Sequence, residues 1–115
     1  MQLTSSQKIE ELGIDGLKII QDYDLYRFTS DSVILSRFAS FRKNEKVADF
    51  CAGSGIVGLH YYALHQNLSS VTFFEIQKQL ADINGKSIEL NNLQDKMTVE
   101  NCRLQDIRSE YNGYF

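Results

Sequence analysis

With 115 residues and a formal charge of −3, the chain is one domain or part of one, and it has no net basic charge to draw it to nucleic acid. Its 43% hydrophobic and 23% charged residues are the balance of an ordinary water-soluble globular protein. No stretch approaches the run of about 18 apolar residues that a membrane span requires. The N-terminus, Met1-Gln-Leu-Thr-Ser-Ser, lacks the basic-then-apolar layout of a secretory signal, so a cytoplasmic chain with no membrane partner is expected.

In chain order, Ser5-Ser-Gln-Lys-Ile-Glu-Glu-Leu12 opens with capping residues and places Glu10 in an early turn, which predicts a short helix ended by Gly13 and Gly16. Leu17-Lys-Ile-Ile-Gln21 and Tyr26-Arg-Phe28 are strand-like pieces around Gln21-Asp-Tyr-Asp24, which predicts a hairpin. Thr29-Ser-Asp31 starts a second predicted helix, Ser30 to about Phe41, with Val33, Ile34, Phe38 and Phe41 on one apolar face. Arg27, Arg37, Arg42, Lys43 and Lys46 make this part locally basic, which suits a solvated surface ahead of an RNA-contacting patch.

From Lys46 the pattern alternates. Lys46–Cys51 reads as a strand, Gly55 to about Gln66 as a helix and Ser70–Glu75 as a strand. Gln79 to about Leu90 then reads as a helix and Met97–Cys102 as a strand. Short connections between them predict βαβ crossovers and a parallel sheet. The expected class is α/β, the first half of a doubly wound, mostly parallel sheet, with residues 1–45 as a helix-and-hairpin extension and 46–115 as a truncated half-domain. The strand at Lys46 would then be an edge, open to self-association.

Asp49-Phe-Cys-Ala-Gly-Ser-Gly55 closes the first strand of that run and opens its first helix. Gly53 and Gly55 suit a sharp turn against a ligand, Gly58 suits close helix–sheet packing, and Glu75 ends the next strand, where an acidic residue accepts hydrogen bonds from ribose hydroxyls. Gly53-x-Gly55-x-x-Gly58 also fits a dinucleotide fingerprint, or a plain tight turn. Asp49, within the strand end, favours a ligand with an ammonium group and no phosphate, S-adenosylmethionine (SAM), over a pyrophosphate that it would repel.

Other chemistry has little support. Cys51 and Cys102 are too few for a disulfide scaffold or a thiolate zinc site. His60 and His65 are five residues apart on one predicted helix, off the spacing of a metal pair. Ser54 lacks a full G-x-S-x-G and a base. Phe38, Phe41, Phe50, Phe73 and Phe74 read as core, as do Tyr61 and Tyr62.

The stretch Asp49-Phe-Cys-Ala-Gly-Ser-Gly-Ile-Val-Gly58 resembles motif I of the Rossmann-like class I SAM-dependent methyltransferases. It is most similar to the bacterial tRNA1(Val) adenine-37 N6-methyltransferase family, related to the glutamine N5-methyltransferases of release factors. Asp15-Gly-Leu-Lys-Ile-Ile-Gln21, Tyr26-Arg-Phe-Thr-Ser-Asp-Ser-Val-Ile-Leu35 and Phe74-Glu-Ile-Gln-Lys-Gln-Leu-Ala-Asp82 fit the same family. Cys51 stands where the general pattern has its first glycine, and members of this family often carry cysteine there.

The resemblance implies SAM as cofactor, tRNA as partner and no metal. It implies that Asp49 meets the methionine amino group and that Cys51, Ala52, Gly53, Ser54 and Gly55 line the methionine and ribose. Glu75 would take the ribose hydroxyls, Ile76 would pack on adenine, and Thr29 with Asp31 would close the methionine end. Arg103 falls where an adenine-binding Asp is usual, so that contact passes to Asp106 or to a backbone carbonyl. Amine-methylating relatives carry Asn-Pro-Pro-Tyr at the end of the fourth strand. This chain has no proline, so no catalytic residue is assigned and an inactive N-terminal part is expected. The rival readings are a methyltransferase of the same fold for a protein glutamine, and a non-catalytic nucleotide-binding module.

Overall fold

In a computed structural model, residues 2–25 and 30–115 are described, Ser30 by its backbone alone. Strands β1 (Gln7–Glu11) and β2 (Lys18–Asp22) form an antiparallel pair with Ile9 opposite Ile20. The predicted helix over residues 5–12 is therefore a strand. Gly13, Asp15 and Gly16 all have positive φ, and Leu12 N–H donates to Leu17 O at 2.9 Å, so the chain reverses at once and β1 pairs with β2. Glu10 lies in β1 and not in the early turn of a helix. Its carboxylate accepts from Gln21 Nε2 at 2.8 Å and from the Tyr23 hydroxyl at 2.5 Å. The expected turn after Gln21 is present, with Leu25 N–H donating to Asp22 O at 3.0 Å. The strand expected at Tyr26–Phe28 lies outside the described residues.

Helix α1 (Ser30–Phe38) ends three residues earlier than expected, and its apolar face is not core. Ile34 is 62% and Phe38 83% exposed, whereas Ser36 is fully buried. The inward side of α1 is polar: Ser36 Oγ lies 2.7 Å from His60 Nδ1 and donates to Val33 O, also at 2.7 Å. The Ser36 hydroxyl thus has both Val33 O and the imidazole Nδ1 as partners.

The remaining elements are β3 (Lys46–Phe50), α2 (Ile56–Leu64), β4 (Ser70–Phe74), α3 (Lys78–Leu90) and β5 (Met97–Glu100). The three strands pair in parallel in the order β3-β4-β5, with Asp49 beside Phe73 and Phe73 beside Val99. The alternation of strand and helix thus gives the α/β half-sheet that the pattern implied, with β3 paired on one side only among the described residues. Val71, Phe73 and Phe74 have almost no exposure, as a strand covered on both faces requires. Each buried phenylalanine contributes about 1.5–3 kcal/mol.

α3 buries Leu80, Ala81, Ile83, Asn84, Ser87 and Ile88, one face at helical spacing. Its last turns also hold the hairpin. Ile20 N–H donates to Ser87 Oγ at 2.9 Å, and Lys18 N–H to Asn91 Oδ1 at 2.9 Å, so helix side chains satisfy β2 backbone that no strand pairs among the described residues. After β5, two short 3₁₀ turns, Leu104–Asp106 and Ser109–Tyr111, bring Tyr111 and Phe115 against Phe74, with ring centroids at 5.5 and 6.0 Å. Phe50 stacks on Phe74 at 5.4 Å but is 54% exposed, so it and Phe38 stand outside the core assigned to them.

Candidate functional site

The loop between β3 and α2 is held by backbone conformations that most side chains avoid. Cys51 has φ 57, Gly53 φ 59 and Gly55 φ 97. A left-handed Cys51 costs on the order of 1–2 kcal/mol, which is why glycine is the general solution there. Ala52 N–H continues the ladder to Phe74 O at 3.0 Å, and Gly55 N–H closes a turn on Ala52 O at 3.0 Å. A Cβ on Gly55 would lie 2.7–2.9 Å from the Asn84 amide, and one on Gly58 would run into the Phe73 ring. A Cβ on Gly53 would meet nothing within 4 Å, so open space faces the loop at that point.

Two carboxylates grip the loop. Glu75, 6% exposed, follows β4 and accepts Gly53 N–H through Oε1 at 2.7 Å and Gln77 N–H through Oε2 at 2.8 Å. Asp49 accepts Gly58 N–H through Oδ2 at 2.9 Å. Burial, followed by the nearby Glu75 charge, pushes the Asp49 carboxyl up to about 6, against the pull of the Gly58 hydrogen bond. Backbone donors of the kind a phosphate would seek at Gly53 and Gly58 therefore face acidic acceptors.

Glu75 opens on a cleft of about 240 Å³ whose walls include Cys51, Ile76, Cys102, Arg103, Leu104 and Gln105. Ile76 is 60% exposed and offers a bare apolar surface. Asp49 faces a second cleft of about 470 Å³, between α1, α2 and the open side of β3, shared with Leu35, Ser36 and Tyr61. Ala52 and Ser54 are buried beneath the loop, so Ser54 presents no exposed nucleophile. Asp31 is exposed in the first turn of α1 and lines neither cleft, and Thr29 lies outside the described residues.

Arg103 Nε sits 2.6 Å from Asp106 Oδ2, so that carboxylate is already engaged, and Asp106 is not among the walls of the Glu75 cleft. Burial raises the Cys102 thiol, with Glu100 and Asp106 adding to it. Two asparagines outside the glycine motif belong to the site. Asn84 is 1% exposed beneath Gly55 with its Nδ2 unpartnered, and Asn101 bonds the backbone after β4. The usable signal for Asn101 is a polar amide directly after the third strand of the half-sheet. Among the described residues no group of His, Cys, Asp and Glu is placed to hold a metal ion, and no helix is long and apolar enough to cross a membrane.

The fold recurs in solved structures. P. horikoshii TYW2, in complex with MeSAdo, matches with a TM-score of 0.73 at 21% identity, over 91% of this chain and 39% of that one. The chain shares the Rossmann-like α/β fold of that protein. Methanocaldococcus jannaschii Trm5, in complex with adenosine, gives 0.66 at 18% identity, over 89% of this chain and 31% of that one. The Pyrococcus abyssi tRNA (uracil-54, C5)-methyltransferase, with S-adenosyl-L-homocysteine, gives 0.67 at 13% identity, over 93% and 26%. The chain thus spans well under half the length of these three proteins. No family model matches the sequence. No curated protein matches it either.

Proposed function

We propose that this chain is the SAM-binding part of a methyltransferase acting on tRNA, and that its acceptor is an adenine N6. The observation that carries the donor assignment is the pair of carboxylates on the glycine loop, with Glu75 bonded to Gly53 and Asp49 bonded to Gly58. An anionic cradle suits a sulfonium ligand with an ammonium group and opposes a pyrophosphate. The tRNA-modifying enzymes that share the fold support the class of substrate. The adenine N6 assignment rests on the motif resemblance.

Residue by residue, the chain's contribution is binding and orientation. Glu75 Oε1 and Oε2 each accept one N–H, and a carboxylate oxygen has capacity for more, so the same group receives ribose hydroxyls. Ile76 gives the adenine ring an apolar wall, and Arg103, held by Asp106, lines the same cleft. Asp49 draws the ammonium end toward the second cleft, directly or through water. When bound, SAM supplies an electrophilic methyl group, and the remaining task is proximity and alignment. These 115 residues contain no proline, hence no Asn-Pro-Pro-Tyr to orient an adenine amine, and they are expected to bind the donor without turning it over.

Calorimetry with S-adenosylhomocysteine and with NADH tests the donor assignment. Binding of the first and not the second is expected, and a preference for NADH would overturn it. Incubation with labelled SAM and unmodified tRNA tests the rest. No transfer is expected from these residues, and turnover would mean that the acceptor site has been misplaced.

A further inference from the structure

Asn101 directly follows β5, and its side-chain nitrogen lies 2.9 Å from Glu75 O and 2.9 Å from Ile76 O. A primary amide carries two N–H donors, and here each has its own carbonyl. The regular ladder stops just before this point, with Glu75 N–H donating to Glu100 O at 3.1 Å. Beyond it β5 turns away and offers β4 no further backbone, so the Asn101 side chain takes over where the sheet ends. The segment it holds is tied elsewhere at Glu75, by its own N–H on Glu100 O and by its carboxylate, which accepts from Gly53 N–H and Gln77 N–H. Ile76 is 60% exposed, and Gln77, the N-cap of α3, is extended and makes no side-chain capping bond. Yet residues 75 and 76 carry the carboxylate and the apolar surface that face the cleft.

We propose that Asn101 is a positioning residue of the donor site: its two amide hydrogens fix the main chain at Glu75 and Ile76, and so set the ribose-binding carboxylate and the adenine wall together. The inference rests on the SAM reading and adds to it a residue that touches no part of the ligand. An ordinary strand-end staple would make the same bonds, so stability alone does not distinguish the two roles. The distinction lies in the affinity of the folded protein for the nucleoside half of the ligand.

The test is calorimetry with S-adenosylhomocysteine and, separately, adenosine, at a temperature where every variant is folded. Asn101→Asp removes both donors in the same shape and turns an anion toward two carbonyl oxygens. It is expected to weaken both ligands by the same factor, about tenfold or more, because the loss falls on the part they share. Asn101→Gln, which keeps both donors, is expected to recover most of the affinity. Combined with Glu75→Gln, Asn101→Asp is expected to add little, since both act on one carboxylate. Should Asn101→Asp fail to fold, Asn101→Ser, with a single donor, gives the same ordering with a smaller loss.

A variant that melts earlier but binds both ligands as the parent does would overturn the positioning role and leave the SAM reading standing. Loss of S-adenosylhomocysteine binding without loss of adenosine binding would overturn it too. A parent chain that binds neither ligand would instead remove the SAM reading, and the inference with it.

Discussion

The Glu75 carboxylate accepts the Gly53 N–H at 2.7 Å, and this bond joins the end of β4 to the glycine loop after β3. With Ala52 N–H on Phe74 O at 3.0 Å, it makes loop and strand end one unit. An acidic side chain placed for a ligand is therefore also a structural tie.

Replacing that carboxylate tests both roles. Glu75→Gln keeps one acceptor oxygen and turns an NH₂ group toward the other backbone N–H. A loss of about 1–3 kcal/mol in urea unfolding is expected from the buried mismatch. At a temperature where the variant is folded, S-adenosylhomocysteine should bind at least about tenfold more weakly by calorimetry.

Asp49→Asn should move stability and affinity in opposite directions. The folded carboxyl titrates near 6 against an ordinary 3.8, so the folded state holds the proton more tightly. Its contribution is present below pH 4 and is lost as pH rises through about 6, a cost on the order of 3 kcal/mol at neutral pH. Asn keeps an acceptor for Gly58 N–H and carries no charge, so the variant should be the more stable one above pH 6. SAM affinity of the parent should rise with pH across the same window, and that of the variant should be lower and flat. Urea midpoints from pH 4 to 8, taken as parent minus variant, isolate the effect.

His60 slopes the other way. Burial, then the Arg37 charge, lowers its pKa from 6.5, so the folded state prefers the neutral ring and stability falls as pH drops below 6.5. Ser36→Ala leaves the buried imidazole Nδ1 without its 2.7 Å hydrogen-bond partner. A loss of about 1–3 kcal/mol is expected, measured by denaturant unfolding at pH 8, where the ring is neutral in both states.

Two helix glycines should respond with opposite signs. Gly58→Ala drives a methyl into the Phe73 ring and toward Asp49 Oδ2, 3.0 Å away, and should cost about 1–3 kcal/mol. At Gly85, in α3, an added methyl would meet nothing within 4 Å, and Gly85→Ala should gain roughly 0.5–1 kcal/mol. Thermal melting of the pair decides this.

Much of the half-sheet was legible because β4 is rich in β-formers and because short strand-like and helical segments alternate with only a few residues between them. The glycine loop and Glu75 were legible because their chemistry depends on local spacing. The first strand was not, since Ser5 and Ser6 look like caps and Glu10 like an early-turn acid until Gly13, Asp15 and Gly16 fold the chain back on itself. α1 misled through Ile34 and Phe38, whose apolar spacing suggested an inward face, while the buried contact is made by Ser36 with a histidine 24 residues away. Asn101 was invisible for a related reason: its partners lie on another strand end, 25 and 26 residues back.

Cys51 is exposed on the wall of the cleft that Glu75 opens on, whereas Cys102, which lines the same cleft, is half-buried and its thiol pKa is raised by burial. The protein thus carries its own occupancy gauge. A maleimide or iodoacetamide label should reach Cys51 first, and its rate, followed by mass spectrometry, should fall when a ligand fills the cleft. That would let donor analogues be ranked on the unaltered chain without turnover, tRNA or a radiolabel.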